Sequence, residues 1–163
     1  MGNPKWDNQV VNPGTKIVRA ILAEFCTRFT PGGKLVWVMG TDGTILHRSQ
    51  AELDRCGIHS LPKTKVPSVG IHDTTRGWLV LVDAANSRRM MTTERCESLM
   101  RLFSHCPLRL SFVTAFRSRR DFSNCAAPPA WGTAVWCVEE PGHLIHFDGQ
   151  FLLDRVPPSA TMA

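Results

Sequence analysis

Residues 65–89 contain two short apolar runs that face each other across a polar turn, and this pattern sets the fold. The runs read VPSVGI and WLVLVD, and the intervening turn reads HDTTRG. Short runs rich in valine, leucine and isoleucine that are bounded by turn residues are typical of buried strands. Because the connection is short, we expect 66–72 and 77–83 to pair as an antiparallel hairpin.

Two helical patterns flank this hairpin. Apolar residues recur at helical spacing over 15–29, where a proline and two glycines then end the helix, and again over 93–105, where Thr92 or Thr93 can cap the start. The run LRLSFVTAF over 108–116 is nearly all apolar, as in a strand covered on both faces. Since this strand follows a crossover helix, it should run parallel to a neighbour.

Further elements complete an α/β pattern with a mixed central sheet. KLVWVMG over 34–40 predicts a strand, and Ser49 with Glu52 forms a possible capping box for a helix over 50–56. The order is helix, three strands, helix and strand. The remaining patterns are a short helix over 119–124 and a hairpin formed by TAVWCVEE and HLIHFDG around a Pro-Gly turn.

Length and composition favour one domain with one core. The chain has 163 residues, 43% of them hydrophobic, and we expect a single domain over 1–163 with loose ends at 1–13 and 156–163. Its six cysteines are widely spaced without a CxxC motif, and no apolar run approaches a membrane span. Free thiols in a reducing cytoplasm are the natural interpretation.

The charge permits contact with nucleic acid without requiring it. The net charge is +5, with a pI near 9.1. Local basic groups are usually solvated loops. Several of them follow predicted strands, however, and these are expected to contact phosphates: Arg88, Arg89, Arg117, Arg119 and Arg120.

Asp83 is the most informative single acid. It ends an apolar strand, where a charge is costly unless it is solvated or bound to a ligand. Ser68 and Lys65 lie on or beside the opposite strand and could reach the same space. Metal-dependent cleavage of a phosphodiester needs carboxylates for Mg²⁺ and a cation for the phosphate. The alternatives are that Asp83 is a solvated strand end and that Lys65 is a plain surface lysine.

Four segments together resemble a known family. KVPSV, GWLVLVDAANS, FVTAF and VWCVEEPGHLIHFDGQFL, within roughly residues 34–152, resemble the catalytic domain of the BsuBI/PstI-type restriction endonucleases, in the PD-(D/E)XK nuclease superfamily. The resemblance implies a restriction-endonuclease-like core. It also implies cleavage of duplex DNA at a palindromic site with Mg²⁺ or Mn²⁺, by a homodimer in a restriction-modification system.

Carried over by position, the family's aspartate falls on Ser68, its glutamate on Asp83 and its lysine on Lys65. A Thr-Ser pair falls on Asn86 and Ser87, which the resemblance therefore places among the DNA contacts. Here Ser68 lacks a carboxylate, and Asp83 is one methylene shorter than glutamate.

These positions give the predicted site. We expect Asp83 to bind the metal, Lys65 to stabilise charge and Ser68 to hold a metal-bound water. Glu24 and Asp73 are alternative metal ligands. Each also has an ordinary role, because Glu24 can pair with Arg28 four residues on and Asp73 can cap its turn.

Three functional hypotheses follow. The first is a nuclease domain weakened by Ser68, and the second is a catalytically decayed nuclease fold that acts as a DNA-binding or protein-interaction module. The third is a partner-binding module with no role on DNA. The family's full-length enzymes carry an N-terminal helical DNA-binding region, and we expect no room for it in a chain that begins almost at the predicted catalytic core. A separate DNA-binding chain or methyltransferase partner is therefore expected.

Overall fold

The computed structural model describes residues 16–40, 42–62, 66–85 and 90–148. The predicted ends 1–13 and 156–163 lie outside these ranges. The first helical stretch consists of α1 (Lys16–Ala20), a π-helical turn (Ile21–Phe25) and α2 (Cys26–Phe29). It agrees with the helix predicted over 15–29.

One mixed sheet of seven strands forms the centre of the described residues. Its spatial order is β2-β1-β3-β4-β5-β6-β7. The β4–β5 and β5–β6 pairs are parallel, and the other four pairs are antiparallel. The strands are β1 (Lys34–Met39), β2 (Ile45–Arg48), β3 (Val69–Asp73), β4 (Trp78–Ala84), β5 (Arg109–Phe116), β6 (Thr133–Cys137) and β7 (Leu144–Phe147). The other helices are α3 (Gln50–Arg55), α4 (Thr93–Leu102) and α5 (Arg119–Ser123).

The predicted hairpin and the predicted parallel strand are both confirmed. Val69 pairs with Val82 across the antiparallel β3–β4 pair, and Leu81 pairs with Phe112 across the parallel β4–β5 pair. Strand β2 was not predicted, because its four residues ILHR have no clean alternation and lie at the sheet edge, paired only with β1. The α/β class with a mixed sheet is as predicted.

Alternate residues of β4 face opposite helical layers. Val80 and Val82 belong to the cluster that contains the α1–α2 stretch, with Ile21 and Phe25 among its buried members. Leu79 and Leu81 belong to the other cluster, together with buried residues of α3 and α4. By the same alternation Asp83 lies on the α4 side of the sheet. The central hairpin is therefore covered on both faces, as its near-continuous apolar sequence predicts.

One close approach requires a glycine in β3. A Cβ atom built on Gly70 would lie 2.6 Å from the Trp37 ring, which is too close for any side chain. Trp37 is fully buried, and its indole Nε1 donates to the Pro67 carbonyl at 2.9 Å. The indole thus fixes the chain directly before Ser68.

The cysteines belong to the packing of the fold. All six lie in the described residues, and none forms a disulfide. Burial raises the pKa of the Cys26 and Cys56 thiols to about 12 and that of Cys96 to about 11. These thiols therefore stay neutral and behave as small apolar groups. No helix in the described part of the chain is long and apolar enough to cross a membrane.

Candidate functional site at the carboxyl ends of β4 and β5

Ser68 and Asp83 lie beside each other at the open end of the β3–β4 hairpin, where β3 begins and β4 ends. Ser68 directly precedes β3, and its hydroxyl Oγ accepts a hydrogen bond from the Ala84 backbone N–H at 3.0 Å. Ser68 is 4% exposed and Asp83 is fully buried. The structure therefore brings these two predicted residues together. Lys65, the third member of the predicted catalytic group, lies outside the described residues.

The carboxylate of Asp83 is held by an arginine that the sequence analysis did not identify. Arg95 donates from Nε to Oδ2 of Asp83 and from Nη2 to Oδ1, the latter at 3.1 Å. The Arg95 side chain is 20% exposed, whereas the Asp83 side chain is fully covered. Both oxygens of the expected metal ligand are thus occupied by a two-point contact with a guanidinium group.

The start of α4 is fixed by the neighbouring strand. The Met91 N–H donates to the Thr114 hydroxyl at 3.0 Å, and Thr114 lies in register with Asp83 in the adjacent parallel strand. Thr92 caps the helix, since its side chain accepts from the Arg95 N–H at 3.3 Å. The threonine of FVTAF therefore has a structural role, because it helps to place the helical turn that carries Arg95.

A signal for Arg95 was present in the sequence. With Thr92 as the cap, Arg95 is the third residue of α4, close to the positive end of the helix dipole. A cation is disfavoured there unless an acid elsewhere compensates. A buried acid at the end of the preceding strand supplies that compensation.

A cleft of about 890 Å³ opens at the carboxyl ends of β4 and β5, and we call it the carboxyl-end cleft. Arg95 lines it, but neither Ser68 nor Asp83 does. Its lining residues are Ile17, Ala85, Met90, Thr92, Glu94, Arg95, Ser98, Phe116, Arg117, Asp121, Asn124, Cys125, Ala126 and Ala127. The cleft therefore presents guanidinium and carboxylate groups together, with Asp83 behind Arg95.

The alternative metal ligands lie elsewhere. Asp73 is 1% exposed, and it accepts from the backbone N–H groups of Thr75 and Arg76 at 3.1 and 3.2 Å and from the Arg76 side chain at 2.7 Å. Glu24 pairs with Arg28 at 3.1 Å on an exposed helical surface. Both residues thus make the ordinary contacts that their sequence positions suggested.

The arrangement of the described residues around Asp83 does not fit a Mg²⁺ ion. Mg²⁺ needs near-octahedral oxygen ligands, some of them anionic. Both oxygens of Asp83 bind Arg95, and the hydroxyl of Ser68 carries no charge. Within the described ranges, no group of three or more histidine, cysteine, aspartate or glutamate side chains is placed to hold a metal ion.

The predicted DNA-contacting residues are divided between the cleft and its surroundings. Arg117 is exposed and lines the cleft. Arg119 is paired with Glu140 at 2.6 Å, and Arg120 is exposed on α5. Four further predicted contacts, Asn86, Ser87, Arg88 and Arg89, lie outside the described residues.

A second groove, of about 540 Å³, lies on the α1–α2 side at the opposite end of the hairpin. Trp78 lines it, and the guanidinium carbons of Arg76 and Arg109 lie 5.5 and 5.3 Å from its ring centroid. Trp78 is therefore partly exposed, and two cations lie close to its ring.

Comparison with known proteins identifies the family. The model of the BsuBI/PstI restriction endonuclease domain matches residues 8–150. The chain belongs to this family. Type II restriction enzyme BsuBI of Bacillus subtilis is 30% identical over 141 residues, which cover 85% of this chain and 45% of that enzyme. Type II restriction enzyme AplI of Arthrospira platensis is 24% identical over 144 residues, which cover 82% of this chain and 43% of that enzyme.

A solved structure supports the same family assignment. The SdaI restriction endonuclease superposes with a TM-score of 0.73 at 31% identity, over 84% of this chain and 44% of SdaI. The restriction-endonuclease fold predicted from the four sequence segments is thereby confirmed. The chain spans less than half the length of each of these relatives.

Proposed function

We propose that this chain is a restriction-endonuclease-type domain that binds duplex DNA at the carboxyl-end cleft. One observation carries the proposal. Two arginines, Arg95 and Arg117, line a cleft beside the Ser68–Asp83 pair, at the carboxyl ends of neighbouring parallel strands. Arginine is well suited to phosphate, because its planar fork of N–H donors matches two oxygen atoms at once.

The segment of the sequence between β4 and α4 is proposed to add DNA contacts. It carries Asn86, Ser87, Arg88 and Arg89, and the residues on either side of it, Ala85 and Met90, line the cleft. Arg120 is the better phosphate contact on α5, because the charge of Arg119 is already balanced by Glu140.

Hydrolysis of the phosphodiester with Mg²⁺ or Mn²⁺ is a second candidate function. The adjacency of Ser68 and Asp83 favours it, since the family resemblance predicts a pair of ligands there. In the described arrangement Asp83 is committed to Arg95, so we propose that cleavage is weak or absent. The domain then acts as a decayed nuclease fold that binds DNA.

Assembly is a further part of the proposal. A homodimer, and a separate DNA-binding chain or methyltransferase, are proposed from the family resemblance alone. Sedimentation of the purified chain with and without a DNA duplex tests the dimer, since a monomer under both conditions would contradict it.

Binding of a labelled duplex across a range of salt concentrations tests the main proposal. Binding to phosphates releases counterions, so the logarithm of the affinity should fall linearly with the logarithm of salt. The single change Arg117→Ala and the double change Arg88→Ala/Arg89→Ala should each weaken binding, and by a similar factor for every DNA sequence. Arg101→Ala, at the far end of α4 and outside the cleft lining, is the control. Salt-independent binding, or none, would support a module without a role on DNA.

Cleavage is tested separately with plasmid DNA in Mg²⁺ or Mn²⁺, using Asp83→Asn as the paired variant. We expect little nicking by the native chain. Efficient nicking that Asp83→Asn abolishes would show that a metal displaces Arg95 from the carboxylate.

A further inference from the structure

The Asp83–Arg95 pair occupies the place where the family resemblance predicts a carboxylate for a metal ion. Arg95 uses Nε and Nη2 for the two carboxylate oxygens. An arginine side chain has five N–H donors in a fixed plane, so three remain. Those three have no acceptor among the described residues.

The arginine, rather than the aspartate, faces the cleft. Asp83 is fully buried and does not line it, whereas Arg95 is partly exposed and does. The guanidinium therefore lies between the carboxylate and the cleft, and its unused donors are on the side away from Asp83. An ion or ligand in the cleft meets a cation before it meets the buried acid.

We infer that Arg95 is a phosphate-binding residue and that the carboxyl-end cleft binds the DNA backbone without a metal ion. This inference rests on the proposed DNA binding. The ligand chemistry is a phosphodiester, whose two non-bridging oxygens can accept from the remaining donors. Asp83 is then a positioning residue, because its two-point contact fixes the plane of the guanidinium.

Three features of the surroundings favour phosphate binding at Arg95. A buried carboxylate limits the conformations of the arginine, so less side-chain freedom is lost when a phosphate binds. Arg95 also lies in the first turn of a ten-residue helix, where the dipole adds positive potential. Arg117 on the same cleft supplies a second cation.

Two acids in the cleft act against it. Glu94 and Asp121 are exposed and line the same cleft. A negatively charged carboxylate repels a negatively charged phosphate, so these two acids weaken binding. Removing one of them should therefore raise the affinity for DNA, whereas removing Arg95 should lower it. At this one cleft, neutralising Glu94 should tighten DNA binding and neutralising Arg95 should weaken it.

The test measures affinity for a fluorescent duplex in EDTA, with three variants. Asp83→Asn/Arg95→Met removes both charges together, so that no lone charge stays buried. Glu94→Gln removes an exposed acid one residue away, and Arg101→Met removes a cation from the other end of the same helix. We expect the double variant to bind the duplex about tenfold more weakly. The slope of log affinity against log salt concentration should become shallower by about 0.9, the value for one phosphate contact.

The single variants should change the affinity in different ways. Glu94→Gln should bind more tightly than the native chain, and Arg101→Met should match it. If the double variant misfolds, Glu94→Gln and Arg95→Lys still decide, because lysine keeps the charge but loses the fork and should bind more weakly than arginine. Equal affinity of the native chain and the folded double variant would overturn the inference.

A second readout addresses the metal directly. Calorimetric titration of the native chain with MnCl₂ alone should give no site binding, because Arg95 already neutralises Asp83. Mn²⁺ binding that Asp83→Asn abolishes would overturn the inference. Native DNA binding in EDTA that the Arg95 variants leave unchanged would also overturn it, while the proposed function would stand.

Discussion

The β3–β4 hairpin carries a buried aspartate at each end, and each aspartate is bound to an arginine for a different reason. At the turn, Asp73 pairs with Arg76 three residues away and accepts two backbone N–H groups of the same turn. At the other end, Asp83 pairs with Arg95, twelve residues away on α4. The first contact is local and the second is tertiary.

Each arginine uses two of its five side-chain N–H donors among the described residues, but the two guanidinium groups lie in different surroundings. Arg76 donates to Asp73 and to the Phe29 carbonyl at 3.0 Å, and it lies over the Trp78 ring. Its contacts join the turn to α2. Among the described residues the Arg95 side chain forms hydrogen bonds only with Asp83, and Arg95 lines the larger cleft. The comparison indicates that the Asp73–Arg76 pair links two elements of the fold, whereas the Asp83–Arg95 pair holds its arginine at the carboxyl-end cleft.

The largest expected effect is on stability at the Asp83 end. Arg95→Ala leaves a fully buried carboxylate without its partner, which should lower the free energy of unfolding by about 3–5 kcal/mol. Urea denaturation measures this change. Asp83→Asn/Arg95→Met should recover most of the loss, because no charge remains buried. A loss of under about 1 kcal/mol in Arg95→Ala would mean that the pair contributes little.

At the turn, Asp73→Ala should cost about 1–3 kcal/mol, because two backbone N–H groups and a guanidinium lose their acceptor. Asp73→Asn is the matched control, since an asparagine oxygen can still accept from the turn. Urea denaturation of the two variants should therefore differ. Equal destabilisation by both would show that the charge, and not the turn geometry, is what matters.

Adding a carboxylate at the two ends of the hairpin should have unequal results. Ser68→Asp places a second acid beside Asp83 and should bind Mn²⁺ at least about tenfold more tightly than any binding by the native chain. Thr75→Asp, in the exposed turn beside Asp73, is the control and should not. Calorimetry with MnCl₂ compares them. Equally tight Mn²⁺ binding by the native and Ser68→Asp proteins would show that no ligand is missing at Ser68.

The smallest effect is expected for Arg76→Ala, at about 1 kcal/mol or less. The Arg76 side chain is 50% exposed, so water can replace much of its contact with Asp73. Thermal unfolding of Arg76→Ala and Asp73→Ala, measured side by side, compares the two losses of stability. A loss as large as that of Arg95→Ala would remove the distinction between the two ends.

The elements that the sequence predicts well are those with local signals. The two apolar runs, the turn between them and the capped helices each depend on residues a few positions apart, and so does the role of Asp73. Strand β2 has too few residues and too little burial to leave a pattern. The family segments placed Ser68 and Asp83 together, but they do not include α4. Arg95 reaches Asp83 only after α4 packs on the sheet, so this contact depends on the tertiary fold.

The central claim is that this cleft binds DNA phosphate through an arginine where the family resemblance predicts a metal. The most direct measurement is the affinity of the native chain for a labelled duplex in EDTA and in Mg²⁺, with the DNA recovered afterwards. We predict salt-dependent binding in EDTA that Mg²⁺ does not strengthen, since Mg²⁺ competes for the same phosphates, and duplex recovered intact. Binding that requires Mg²⁺, with the duplex recovered cleaved, would contradict the claim.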